Sequence, residues 1–176
     1  MTTTINADTT TGGAIVTGDA SGQLGLQAAG NTVLTLNATN ANFNKSLLET
    51  ATITAAAPSA TQNFDAITQQ VQYFTTNTAN NWTLNVRGNS TTSLNTLMAT
   101  GQSLTLAVLA TNGSTAYYAS ALTIDGVSVT PKYQGGTAYS SGNASAIDSY
   151  VYTIIKTASA TYTVLMSQTK FRSEEH

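Results

Sequence analysis

Short runs in which apolar and polar residues alternate recur along most of this chain, separated by Gly, Asn, Ser and Asp residues. Alternation with a period of two places successive side chains on opposite faces of a β-strand, so the pattern predicts strands. The predicted strands cover residues 14–16, 24–26, 32–36, 51–55, 67–75, 82–87, 103–111, 117–124, 127–133, 149–157 and 161–167.

The densest part of this pattern is the stretch IDSYVYTIIKTASATYTVLMSQTKF at 147–171. Two runs rich in Tyr, Val, Ile and Thr flank a short link at 158–160, which predicts an antiparallel hairpin. Ile147 and Val151 fall on one side of the first run, and Tyr150 and Tyr152 fall on the other. Because few charges occur on either side, we expect both faces to be covered, as in a central or inter-subunit hairpin.

One segment departs from the strand pattern. In TTSLNTLMATG at 91–101 the apolar positions have helical spacing, with hydroxyl residues before them and Gly101 after them, so a short helix is predicted. Asp125-Gly126 between two apolar runs predicts a tight type I′ hairpin. Many short strands with one helical segment predict an all-β fold, an antiparallel β-sandwich that is jelly-roll-like.

The first 49 residues are predicted to form an extended N-terminal β arm. Their strands are too short to bury an apolar face alone, so they must add to the following domain or pair with other copies of the chain. A composition change at 45–49 divides the chain into an arm (1–49), a β-sandwich (50–171) and a C-terminal tail (172–176). The candidate inter-subunit contacts are Leu24, Leu26, Leu34, Leu36 and Arg87.

Charge is scarce: charged residues make up 8% of the chain, hydrophobic residues make up 41%, and the formal net charge is −2. This composition predicts an ordered chain with no long-range field toward nucleic acid. The sequence has no apolar run of about 18 residues, so no membrane span is predicted, and its N-terminus lacks the pattern of a cleavable signal. Cysteine is absent, which excludes disulfides and thiolate metal sites.

Three strings carry a resemblance to a known group of proteins. They are NFDAITQQVQYFTTNTANNWTLNVRGNSTTSLNTLMATGQSLTLAVLATNGSTAYY at 63–118, IDGVSVTPKYQGGTA at 124–138, and the hairpin string at 147–171. They resemble a β-rich domain of virion structural proteins of marine phages, cyanophages especially, that is often attached to tail-fibre-like proteins. GDASGQLGLQAAGNTVLTLNATNANF at 18–43 resembles the segment that precedes such domains.

The resemblance implies a surface position on a virion assembled in the host cytoplasm, a homo-oligomer with three chains favoured, and contacts to other capsid or tail proteins. It implies no chemical activity. Two structural roles stay open: a tail-fibre-like appendage subunit that contacts the host, and a decoration or cement protein on the capsid head. For the first, the Gly-rich loop KYQGGTAYSSGN presents Tyr133 and Tyr139 as candidate contacts to a ligand such as a host surface glycan.

A glycan-degrading enzyme is the third possibility, because such chemistry needs two carboxylates that converge on a cleft. Asp65, Asp125 and Asp148 are the candidates, but each lies at a turn or strand start where Asp commonly bonds the backbone. The single His176, the last residue, is badly placed for a catalytic triad or a metal site. We therefore expect a non-enzymatic protein with no catalytic residues, cofactor or metal.

Overall fold

The computed structural model describes residues 22–172 and divides the chain into two compact units, Met1–Leu48 and Glu49–His176. Its elements are strands, one short α-helix and one 3-10 turn at Gln134–Gly136, which confirms the all-β prediction. The predicted strand at 14–16 and His176 lie outside the described residues.

The first unit contains a three-stranded antiparallel sheet, formed by β1 (Leu24–Ala28), β2 (Asn31–Leu36) and β3 (Ala41–Phe43). Ala29 and Gly30, with φ of 49° and 76°, make the tight turn from β1 to β2. The side chain of Asn37 accepts hydrogen bonds from two backbone N–H groups of the next turn. The sequence pattern missed β3, because three residues are too few to show alternation.

The second unit contains ten strands within residues 49–172. These are β4 (Ala51–Thr54), β5 (Thr61–Asp65), β6 (Val71–Phe74), β7 (Trp82–Arg87), β8 (Ser103–Thr111), β9 (Ala119–Ile124), β10 (Val127–Ser128), β11 (Lys132–Tyr133), β12 (Ile147–Ala158) and β13 (Thr161–Phe171), with α1 (Leu94–Leu97) after β7. They form a six-stranded sheet of order β11-β13-β12-β8-β6-β4 and a four-stranded sheet of order β10-β9-β7-β5.

From β4 to β9 the chain alternates between these two sheets. After two successive crossings the chain is back in the same sheet and runs in the same direction as before. The strands β4, β6 and β8 are therefore mutually parallel, as are β5, β7 and β9. The predicted purely antiparallel sandwich is wrong for these pairs and for β11 with β13, and the jelly-roll arrangement is not confirmed. Turn residues show where a strand ends but not which sheet the next strand joins.

A single buried apolar cluster is shared by the two sheets. Leu84 and Val86 of β7 and Ile154 of β12 are fully buried in it. Trp82 meets Tyr150 of the opposite sheet edge-to-face, with ring centroids 5.7 Å apart. Trp82 therefore points into the core, in phase with Leu84 and Val86, as its alternation predicts.

The C-terminal hairpin is central, as predicted. β12 pairs antiparallel with β13 over nearly its whole length and with β8 on its other side. The face of β12 that carries Tyr150 and Tyr152 is buried, whereas Ile147 and Val151 on the other face are half-buried. The expectation of two covered faces therefore holds for the tyrosine face alone.

Charged side chains from other elements hold both ends of α1. The carboxylate of Asp125, in the β9–β10 turn, accepts hydrogen bonds from the backbone N–H groups of Leu94 (2.7 Å) and Asn95 (3.0 Å). The ammonium group of Lys156, on β12, donates to two backbone carbonyls at the other end, at 2.6 and 2.7 Å. Both charges complement the helix dipole, so they fix the predicted helix against the two hairpins.

Candidate functional site

The two tyrosines of the predicted ligand loop pack on each other. The rings of Tyr133 and Tyr139 meet edge-to-face with centroids 5.3 Å apart, and both are half-buried against the core cluster. The hydroxyl of Tyr139 donates to the backbone carbonyl of Met166 at 3.1 Å, and burial raises the pKa of Tyr139 above its ordinary value. Tyr139 therefore anchors the loop to β13.

Tyr133 has a second environment, because it also borders an open groove beside β13. The groove has a volume of about 430 Å³ and is lined by Lys132, Tyr133, Gln134, Val151, Thr153, Leu165, Met166 and Ser167. Its floor is the outward side of β12 and β13. Of the two predicted ligand residues, Tyr133 is thus the one that a molecule in this groove would touch.

Two of the three candidate carboxylates have partners that account for their positions. Asp65 lies opposite Arg87 in the parallel β5–β7 pair, and its carboxylate is 2.6 Å from the Arg87 Nε atom. Asp125 combines the predicted hairpin turn, with φ of 51°, and the cap of α1. Arg87, predicted as an inter-subunit contact, makes its ion pair within the chain, and whether it also touches another copy stays a prediction.

Asp148 is fully buried at the start of β12 and is surrounded by hydrogen-bond donors. Its carboxylate accepts from the side chains of Asn112 (3.1 Å), Gln168 (3.2 Å) and Tyr150 (3.3 Å). The backbone N–H and side-chain amide of Asn143 also donate to it. Because these donors all belong to the protein, the carboxylate joins two loops to β12 and β13.

The network around Asp148 extends into the loop that follows β8. The side chain of Asn112 also donates to the carbonyl of Tyr117 at 3.0 Å and accepts from the hydroxyl of Thr78. At Gly142 a Cβ atom would collide with the carbonyl of Tyr117, so only glycine fits there. Burial, with a smaller contribution from the Asp148 carboxylate, raises the pKa of Tyr150 well above its ordinary value, which favours the neutral, donating phenol.

The predicted inter-subunit leucines share one face of the N-terminal sheet. The register pairs Leu24 with Leu36 and Leu26 with Leu34, and β3 adds two residues to the same face. We call this set the leucine face; its members are Leu24, Leu26, Leu34, Leu36, Ala41 and Phe43. Leu24, Leu26 and Phe43 are 41%, 42% and 55% exposed. Phe43 was missed because β3 was missed.

The opposite face of that sheet is polar. Thr35 pairs with Asn42 on this side, and the side chain of Asn44 donates to the Thr35 hydroxyl at 2.9 Å. The sheet therefore has one polar face and one apolar face. Within residues 22–48 no second layer packs on the apolar face.

Comparison of the chain with family models, with curated proteins and with solved structures finds no match. Among the described residues, no group of three or more His, Cys, Asp or Glu side chains could hold a metal ion. The one α-helix in that part of the chain is too short to cross a membrane.

Replacing Asp148 by alanine tests the buried network. The Asp148→Ala variant leaves several buried donors without an acceptor, so we expect the free energy of unfolding to fall by about 3 kcal/mol. Ser149→Ala, the next residue on the outward face of the same strand, is the control and should change it by less than about 0.5 kcal/mol. Urea unfolding followed by the fluorescence of Trp82, the single tryptophan, measures both. Equal unfolding midpoints for the two variants would contradict a structural role for Asp148.

Proposed function

We propose that this chain is a non-enzymatic structural subunit of a phage particle, a tail-fibre-like appendage protein that assembles through its N-terminal unit. The biological setting comes from the resemblance of residues 63–118, 124–138 and 147–171 to a phage virion domain, and of residues 18–43 to the segment that precedes such domains. The leucine face is the observation that carries the proposal. A sheet with one apolar and one polar face is stable in water when its apolar face is covered.

Copies of the same chain are the proposed cover for the leucine face. Three such sheets can meet with their apolar faces toward a common axis while the Thr35 and Asn42 sides face water. The contact involves no charged residue, since each of the six members of the face is apolar. A threefold contact of this kind agrees with the trimer that the resemblance favours.

The environments of the acidic residues support a structural rather than a hydrolytic role. A pair of glycosidase carboxylates must face one cleft and remain accessible to substrate. Here Asp148 is completely buried, Asp125 caps a helix, and Asp65 is paired with Arg87. Each of the three carboxylates is held by a different part of the fold.

Host contact is proposed to fall to the loop at 132–143. The loop offers an aromatic ring, that of Tyr133, next to the exposed polar side chain of Gln134. Aromatic faces with neighbouring hydrogen-bonding groups suit a neutral surface glycan. Tyr139 contributes by holding the loop in place.

Substitution in the leucine face tests the assembly. In the full chain, Leu26→Lys places a charge in each copy within the proposed contact, so the mass of the assembly should fall by a factor of about three. Gln27→Lys, one residue along β1 and on the opposite face, is the matched control and should leave the mass unchanged. Sedimentation equilibrium measures the mass. An unchanged mass for the Leu26→Lys variant would rule out this contact.

Labelling of intact virions tests the function itself. Gold-conjugated antibody to this protein should decorate tail or fibre structures under the electron microscope, because the protein is proposed as an appendage subunit. Decoration of the head surface would instead identify a capsid decoration or cement protein. Absence of label from particles that contain all their structural proteins would contradict a virion role.

A further inference from the structure

The two outward-facing sheet surfaces of the second unit differ in chemistry. On the four-stranded sheet, the side chain of Asn85 donates to that of Asn63 at 2.8 Å and accepts from the hydroxyl of Thr123 at 2.8 Å. The Asp65–Arg87 ion pair lies on the same side of this sheet. Hydrogen-bonded amides, hydroxyls and an ion pair form a surface suited to water.

The six-stranded sheet presents a different surface. Its strand register aligns one row of apolar residues across four strands: Ala51, Val71, Ala107 and Val151. The next row along the strands contains Ile53, Tyr73 and Leu109. We call the outward-facing residues of β4, β6, β8, β12 and β13 the outer face of the six-stranded sheet.

The outer face is apolar or hydroxylic throughout its described extent. None of its outward-facing residues on those five strands is charged, and the cation Lys132 lies on the edge strand β11 opposite Leu165. Several large side chains on it are well exposed: Ile53 at 69%, Phe171 at 56% and Leu165 at 46%. Exposed apolar side chains on a surface that carries no charge across five strands are typical of a contact surface.

We propose that the outer face of the six-stranded sheet is a twofold contact between two copies of this chain. A second copy presents an equally uncharged surface of the same shape, so neither partner buries an unpaired charge. Two such faces can pack at the small angle that sheet twist allows, with the small Ala51 and Ala107 side chains permitting close approach.

The area of the outer face is large enough for a contact with a second copy of the chain. Five strands about 4.8 Å apart and about 20 Å long give roughly 500 Å² of flat area per copy. A pair would then bury roughly 1,000 Å², which is at the lower limit for a specific protein interface. The contact adds to the proposed assembly and uses different residues from the leucine face. It rests on the proposed function only because it treats the chain as a subunit of an assembly.

Charge substitution on the outer face tests this inference in the full chain. Val151→Lys puts a like charge on both copies, so the mass measured by sedimentation equilibrium should fall by a factor of about two. Thr83→Lys, at an outward position of the four-stranded sheet, is the matched control and should keep the wild-type mass. A Val151→Lys variant with the wild-type mass would overturn the proposal.

Mixing two variants distinguishes a direct contact between two outer faces from other causes of a reduced mass. Val151→Lys and Val151→Glu should each be reduced in mass, and an equimolar mixture should recover the wild-type mass because opposite charges then meet. A mixture that stays at the reduced mass would overturn the contact between two copies of this face. The recovery also shows that neither variant has lost mass by misfolding.

A measurement on the unmodified protein does not depend on any variant. Hydroxyl-radical footprinting of the wild-type chain should show Tyr73 and Phe171 protected at high concentration and exposed on dilution. Full labelling of Tyr73 and Phe171 at the highest concentration would overturn the proposal. Combining Leu26→Lys with Val151→Lys should give a monomer, whereas a mass loss with Leu26→Lys alone would leave the proposed function standing and the twofold contact refuted.

Discussion

The second unit depends on the burial of one strand, β12, in the middle of the six-stranded sheet. Its inward face reads Asp148, Tyr150, Tyr152, Ile154 and Lys156, and every one of these residues is buried. The three central side chains belong to the apolar cluster between the sheets, where Tyr150 meets Trp82. The two terminal charges hold loops at opposite ends of the strand: Asp148 gathers donors from the neighbouring loops, and Lys156 binds carbonyls at the end of α1.

Much of the local structure could be predicted from the sequence, because it is set by neighbouring residues. Alternation located most strands, and Asp125-Gly126 located a hairpin turn. Pairing between distant strands could not be predicted: nothing in the alternation of β6 says that its neighbours are parallel. The polar strand β5 was missed for lack of a clear pattern. The capping of α1 by Asp125 joins residues about thirty positions apart and leaves no local signal.

The candidate sites also divide into those that local sequence predicts and those that depend on contacts between distant residues. The leucines of the N-terminal unit were found from the sequence because their spacing within β1 and β2 is local, and register then brings Phe43 beside them. The roles of Tyr133 and Tyr139 depend on their packing against each other and on β13, which the loop sequence does not reveal. With charge so scarce in the chain, apolar sheet faces are the surfaces available for recognition, and the proposed assembly uses one in each unit.

The central claim is that copies of the chain cover the leucine face. Electron cryo-microscopy of the assembled full-length protein tests it most directly, because it shows what lies against each sheet. The account predicts particles in which three leucine faces, each with Leu26 and Phe43 inward, meet around a common axis. Particles in which Leu24, Leu26 and Phe43 border solvent in every copy would contradict it.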